Sequence, residues 1–143
     1  MQSVVFSGDG GEHLRIDVLG YERAPVGEYF DDNWLSVQVT IKAGGFSGSF
    51  SASFLTGELE TLRQGSLSLY ESLTGHAKFE TLEGQLSLDL VGDGHGHIRL
   101  TGSAEDRAGL GNTLAFAFTF DQTQLQSTVQ GLARVLDTFP VRT

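Results

Sequence analysis

Hydrophobic and polar residues alternate with a period of two through most of this chain. The clearest stretch runs from Leu35 to Ile41, where apolar residues at every second position oppose Ser36, Gln38 and Thr40. Such alternation predicts a β-strand with one face in a core and the other in water, which is typical of antiparallel sheets. Together with the matching order of stretches in the two halves of the chain, this alternation predicts eight strands, at residues 4–6, 14–20, 33–41, 46–54, 77–79, 86–92, 97–104 and 114–120.

Glycine-rich turns separate these stretches. Glycine adopts the left-handed backbone conformation that tight connections need, so the turns predict hairpins joined in series. The turns lie at residues 9–11, 44–45, 83–84, 93–94 and 109–112.

Two amphipathic segments follow the fourth and eighth strands directly. In the first, leucines at spacings of three and four follow Thr56, the expected N-cap, and Gly75 is the expected stop. In the second, Asp121 and Gln124 form a capping-box pattern, and Pro140 ends the segment. The pattern predicts two helices that pack on the apolar face of the sheet or sheets.

The order of elements is therefore strand-strand-strand-strand-helix, repeated. Phe50, Ala52, Phe54, Leu59 and Leu69 stand 66 positions before Phe116, Phe118, Phe120, Leu125 and Val135. We expect an α+β fold of two ββββα halves, residues 1–75 and 76–143, within one domain, because 143 residues is close to the commonest domain size. Whether the eight strands form one sheet, two packed sheets or a barrel stays open.

The charge and composition of the chain exclude several classes of function. The net charge of −9 disfavours direct binding to nucleic acid or to an anionic membrane, and it suits either solubility alone or a basic partner. The chain has no cysteine, which excludes disulfides and thiol chemistry and fits a reducing compartment. No apolar run approaches the roughly 20 residues that span a bilayer, so we expect a soluble, cytoplasmic protein.

Trp34, the only tryptophan, breaks the alternation. It lies on the same face of its strand as Ser36, Gln38 and Thr40, which is the polar face. It follows an acidic and aromatic stretch, residues 28–33. It is either an exposed interface anchor, with carboxylates that steer a cationic partner, or an indole buried beneath the long connection 21–32. On the first interpretation the partner-binding residues are Glu28, Tyr29, Asp31, Asp32 and Trp34.

Patterns for catalysis or metal binding are weak. Residues 93–97 contain one carboxylate and two imidazoles, from Asp93, His95 and His97. This stretch is either a fragment of a metal site or a glycine-rich hairpin turn. Asp17 and Asp89 occupy matching positions in the two halves, and solvated surface charge is a simpler explanation than a carboxylate pair. The chain has neither a Gly-x-Ser-x-Gly elbow nor a phosphate-binding loop with its lysine. We therefore predict no catalytic residue, no resident metal and no cofactor.

Several short strings resemble the WapI family of bacterial immunity proteins. They are residues 29–35, 46–50 with 58–59, 82–84, 94–98, 121–123 and 139–140. The resemblance covers nearly the whole chain and implies a cytoplasmic antitoxin that binds the toxic C-terminal domain of a polymorphic, contact-delivered toxin. In the best-known member of the family that domain is a tRNA-cleaving nuclease. The resemblance implies no catalytic residues.

Two other functions stay open. A noncatalytic module could bind a small ligand or a protein on the flat polar face formed by Ser47, Ser49, Ser51, Ser53, Gln38, Thr40 and Trp34, although small ligands usually require a concave apolar pocket. A hydrolase or metal-dependent enzyme is the less favoured alternative.

Overall fold

The computed structural model describes every residue from Met1 to Thr143. Its elements are β1 (Gln2–Ser7), β2 (His13–Tyr21), α1 (Tyr29–Asp32), β3 (Trp34–Ala43), β4 (Phe46–Leu55), α2 (Thr56–Ser72), β5 (Thr74–Glu80), β6 (Leu86–Asp93), β7 (His97–Glu105), β8 (Thr113–Asp121) and α3 (Gln122–Thr138). The predicted class is confirmed: the protein is α+β and consists of two ββββα units. The four-residue helix α1 is the one element that the pattern did not predict.

The eight strands form two separate sheets. One has the order β1-β2-β3-β4 and the other β5-β6-β7-β8, and all pairings are antiparallel. Each half is thus a meander of consecutive hairpins, followed by its helix. A β-bulge between Val18 and Gly20 is the only irregularity in the pairing.

The apolar faces of both sheets and both long helices meet in one core cluster of 28 buried residues. Two aromatic pairs join the sheets across this core. The rings of Phe54 and Phe79 meet edge to face at 5.2 Å, and those of Phe6 and Phe120 at 6.4 Å. Because Phe54 corresponds to Phe120 and Phe79 to Phe6 in the repeat, the two contacts are reciprocal, as a two-fold relation between the halves produces.

Each long helix packs mainly against the first strand of the opposite half of the chain. Helix α2 lies against β5, α3 lies against β1, and the two helices also contact each other. Glycines make this approach possible. A Cβ atom at Gly65 would lie 3.1 Å from the Cβ of Ala77, and one at Gly131 would lie 3.2 Å from the carbonyl oxygen of Ser3. These glycines stand 66 positions apart, so both halves keep a residue that lowers helix propensity in order to fit the helix closely against a strand.

The cap of α3 is as expected. An oxygen of Asp121 accepts from the backbone N–H of Gln124 at 3.1 Å, and the side chain of Gln124 accepts from the N–H of Asp121 at 2.8 Å. None of the helices has the length and apolar character that crossing a membrane would need.

The ends of α2 differ from expectation. Its N-cap is Leu55, and Thr56 is instead a buried first-turn residue whose hydroxyl bonds Asn33. The helix ends at Leu73, which takes the left-handed conformation with φ of 65°, before Gly75 is reached. At the N-terminus, a hydrogen bond to Asn33 thus takes up the hydroxyl that local propensity assigned to capping.

Candidate functional site

The connection between β2 and β3, residues 22–33, is the longest between paired strands and contains α1. Glu28 begins this short helix, and its side chain accepts from the backbone N–H of Asp31 at 2.7 Å. Asp31 is exposed, and its carboxylate lies 3.7 Å from the guanidinium of Arg23. Glu28 and Asp31 therefore keep carboxylate surface toward solvent.

Asp32 has a different environment. It is buried, and its two oxygens accept from the backbone N–H groups of Val26 at 2.7 Å and Gly27 at 2.9 Å. These bonds close the loop on itself. The carboxylate of Asp32 holds the connection in shape and does not present a charge at the surface.

Asn33 is the buried centre of this region. Its amide nitrogen donates to the carbonyl oxygens of Tyr29 and Arg142, both at 2.8 Å. Its amide oxygen accepts from the hydroxyl of Thr56 at 2.5 Å and from the N–H of Arg142 at 2.8 Å. Both donors and both lone pairs of the amide are thus used. One side chain ties together the loop, the start of α2 and the C-terminal segment; in the sequence it was visible only as part of a short string.

The C-terminal segment packs onto the same loop. The hydroxyl of Tyr21 donates to the carbonyl oxygen of Pro140, and the ring of Phe139 meets that of Tyr21 edge to face at 5.7 Å. The guanidinium of Arg142 lies 3.4 Å from the centre of the Tyr21 ring and donates to the carbonyl oxygen of Arg23 at 3.2 Å. Burial raises the pKa of Tyr21, and the charge of Arg142 opposes that rise.

Tyr29 and Phe30 form an exposed aromatic rim on this framework. Their side chains are 47% and 54% exposed, and their rings meet edge to face at 5.5 Å. They line a groove of about 370 Å³, whose other residues come from the start of α2 and from β5. Sequence reasoning missed Phe30 as a surface residue and missed the contribution of β5.

Glu58 contributes a half-buried carboxylate to this groove. One oxygen accepts from the N–H of Leu55 at 2.8 Å and the other from the N–H of Leu82 at 2.6 Å. Burial raises the pKa of Glu58, while these two N–H groups lower it. The carboxylates in and beside the groove outnumber its cations: they belong to Glu28, Asp31, Glu58 and Glu80, against Arg23 and Lys78.

Trp34 takes an intermediate position between the two interpretations. It is half-buried, pairs with Leu55 across β3 and β4, and its carbonyl oxygen accepts from the N–H of Glu22 at 2.9 Å. Trp34 is therefore neither as exposed as a free interface anchor nor as buried as an indole enclosed by the connection.

The histidine turn is organised by Asp93. One oxygen accepts from the N–H groups of His95 at 2.7 Å and His97 at 3.1 Å, and the other lies 3.0 Å from Nδ1 of His97. These bonds, led by that from His95, lower the pKa of Asp93. No group of three or more His, Cys, Asp and Glu side chains is placed to hold a metal ion.

The carboxylates of Asp17 and Asp89 do not form a pair, since they lie in different sheets. Asp17 accepts from the hydroxyl of Ser3 at 2.5 Å and from Nε of Arg15 at 3.1 Å, whereas Asp89 lies 3.5 Å from Nδ1 of His76. Asp17 is buried, so the interpretation of it as a solvated surface charge was wrong. Ser3, whose hydroxyl bonds this carboxylate, lies opposite Asp17 on the adjacent strand β1.

The polar face of β3 and β4 is a network of side chains bonded to one another. Gln38 donates to the hydroxyl of Ser49 at 2.7 Å and accepts from that of Ser51 at 3.0 Å, and Thr40 lies 3.4 Å from the oxygen of Ser49. The face is flat and its hydrogen bonds are internal, unlike a concave ligand pocket.

The protein is thus a duplicated α+β scaffold with a groove on one side that has an aromatic rim and more carboxylates than cations. The model of the immunity protein WapI-like family matches residues 5–140, and the chain belongs to this family. The resemblance in the short strings is thereby confirmed. Family membership indicates a toxin-neutralising role and a toxin protein as partner. No curated protein matches the chain.

Proposed function

We propose that this protein binds the C-terminal domain of a cognate toxin and neutralises it by occlusion, one molecule to one and without catalysis. The aromatic rim of Tyr29 and Phe30 beside an acidic groove supports this proposal. Tyrosine is enriched among residues that dominate binding energy, and carboxylates around it steer a cationic partner. Glu28 and Asp31 supply that charge at the rim, and Trp34 adds accessible apolar surface beside it.

The framework beneath the rim favours tight binding. Asp32 and Asn33 fix the backbone on either side of the aromatic residues through bonds of 2.7–2.9 Å to main-chain groups. A surface that is already ordered loses little conformational freedom on association. Burying the two rings then contributes to affinity with a small entropic cost.

The charge indicates the chemistry of the partner. A nuclease that acts on tRNA must present a basic surface to phosphate, and an acidic protein can cover that surface. We therefore propose a basic, tRNA-targeting nuclease domain as the partner. Covering its substrate groove is sufficient for inhibition, and the immunity protein needs no catalytic group.

Titration against the C-terminal domain of a candidate cognate toxin tests the proposal. We expect a one-to-one complex and loss of toxin activity at equivalence. Tyr29→Ala should weaken binding about 30-fold, the effect of removing a hot-spot aromatic. Asp31→Lys should lower the association rate, most strongly at low salt.

Glu71→Lys is the matched control for Asp31→Lys. It makes the same change in net charge at an exposed position near the other end of α2. Equal loss of association rate in the two variants would show that net charge and not the rim steers the partner. A toxin domain that stays active in the presence of excess wild-type protein would refute the function itself.

A further inference from the structure

The two sheets have four edge strands, and the helices protect two of them. Strand β1 lies against α3 and β5 against α2, whereas β4 and β8 make only slight contact with the helix that follows each of them. Strand β4 runs for ten residues, from Phe46 to Leu55, without a charge, a proline or a bulge. Natural proteins usually protect an exposed edge with such features, because unpaired backbone groups accept a further strand.

The free backbone groups of β4 can be assigned. Gln85 donates from its side chain to the carbonyl oxygen of Ser51 at 3.2 Å, from outside the β3–β4 ladder. In an antiparallel strand, residues two apart direct both their N–H and C=O groups to the same side. The backbone groups of Ser47 and Ser49 therefore face away from β3, and no other group of the protein bonds them on that side.

An apolar groove lies beside this open part of the edge. It has a volume of about 220 Å³ and is lined by Phe46, Phe50 and Leu114 among others, with Asp106 as its one charged residue. Phe46 is 68% exposed. Where an added strand is recognised, main-chain bonds supply affinity and a pocket for an alternate side chain supplies specificity. Both components are present here.

We propose that an extended segment of the toxin domain pairs with β4 at Ser47 and Ser49 and places an apolar side chain in this groove. The inference rests on the proposed function and adds a second contact to the aromatic rim. A second copy of this chain is the competing occupant. Each copy carries a net charge of −9, which opposes self-association and favours a basic partner.

A proline at position 49 tests the strand. Because the N–H of Ser49 faces away from β3, Ser49→Pro removes the donor that an added strand needs and leaves the β3–β4 bonds in place. We expect affinity for the toxin domain to fall at least about tenfold, because one main-chain hydrogen bond is lost and the proline ring obstructs the added strand. Ser49→Ala keeps the N–H and should bind as the wild type does.

Ala117→Pro is the second control, on the edge of β8. Ala117 is exposed and in phase with Thr119, whose carbonyl oxygen accepts from the N–H of Asp9 at 2.9 Å from outside the ladder. Its own N–H therefore also faces outward, and its replacement should leave toxin affinity unchanged. Circular dichroism and unfolding midpoints establish that each variant is folded.

Hydrogen exchange on the wild type gives a readout that needs no variant. The amides of Ser47 and Ser49 should exchange rapidly in the free protein and become protected in the complex. Unprotected amides in the complex, or equal affinities for Ser49→Pro and Ser49→Ala, would overturn strand addition while leaving toxin neutralisation intact. A wild-type dimer that Ser49→Pro dissociates would identify a second copy instead, and absence of any toxin binding would remove both proposals.

Discussion

The two halves of the molecule differ most at one equivalent place, where β2 meets β3 and where β6 meets β7. The first connection is residues 22–33, with α1 inside it, and the second is residues 94–96. Both end in the same bond to the following helix: the N–H of Thr56 donates to Asn33 and that of Gln122 donates to Gly96, each at 3.0 Å. The long loop is therefore an elaboration at a junction that both halves retain.

Each connection is also held by one aspartate that accepts from two backbone N–H groups. Asp93 does so at the surface of a glycine-rich turn, whereas Asp32 is buried beneath the longer loop. The repeated elements supply the scaffold twice. The long loop is present in the first half only, and the aromatic and acidic groove is therefore found on that side of the molecule alone. The comparison thus separates residues that maintain the fold from those proposed to bind.

Among the substitutions that test this comparison, Asn33→Ala should have the largest effect on stability. The substitution leaves the hydroxyl of Thr56 and main-chain groups of Tyr29 and Arg142 without their partner in a buried site. We expect the free energy of unfolding to fall by about 3 kcal/mol, measured by urea denaturation. The aromatic rim should lose its order at the same time, so toxin affinity should fall with stability.

His95→Ala is the control in the second half. His95 is exposed, its side chain makes no hydrogen bond, and its main-chain bond to Asp93 survives the substitution. Stability should change by less than about 0.5 kcal/mol. A loss as large as that of Asn33→Ala would mean that the short turn organises its half as strongly as the long loop does.

Replacing the helix glycines should act on both halves alike. Gly131→Ala would push a methyl group to 3.2 Å from the backbone of Ser3, which is paired with β2 and cannot move aside. Overpacking then exceeds the gain of about 1 kcal/mol in helix propensity, and we expect a net loss of about 1 kcal/mol. At Gly65 the obstacle is the methyl group of Ala77, so Ala77→Gly should offset Gly65→Ala in a double-mutant cycle.

These variants also test whether the halves unfold together. We propose that residues 1–143 form one domain, because the two sheets and both helices line one core. A substitution in either half should then shift a single unfolding transition. Two separate transitions would contradict the single domain. A Gly65→Ala substitution that stabilises the protein would contradict the equivalence of the halves.

Much of the scaffold could be predicted because its determinants are local. Alternation and the internal duplication predicted all eight strands, and the pairing of Asp121 with Gln124 predicted the start of α3. Prediction failed where distant residues decided the outcome. Thr56 does not cap α2, since its hydroxyl bonds Asn33, 23 positions earlier in the chain. Asp17 is buried and accepts a hydrogen bond from Ser3 on the neighbouring strand, which alternation within β2 could not reveal.

The candidate site was predictable in part for the same reason. The acidic and aromatic string pointed to the loop that we propose as the contact, and Tyr29 and Asp31 are exposed there. The string could not distinguish Asp31 from Asp32, because the partners of Asp32 are the main-chain groups of a turn that forms only in the folded loop. Nor could it bring Glu58 and β5 to the groove, since that contact depends on how α2 packs.

The smallest effect should come from exchanging the equivalent cap residues Glu58 and Gln124. Each accepts at 2.8 Å from the N–H of the residue three positions before it, but Glu58 also accepts from Leu82. Glu58→Gln keeps the first bond and loses the second, while it removes a half-buried charge. These effects oppose each other, and we expect stability at pH 7 to change by less than about 1 kcal/mol.

The pH dependence of stability gives the sharper test. Because burial raises the pKa of Glu58 above its usual 4.5, the folded state holds a proton that the unfolded state has already released. The contribution of this carboxyl is therefore complete below about pH 4.5 and is lost as the pH rises through the folded-state pKa. Urea denaturation from about pH 4 to 7 should show stability falling less steeply for Glu58→Gln than for the wild type. The reciprocal Gln124→Glu should add no such fall, because its carboxylate would lie at the N-terminus of α3, which favours negative charge.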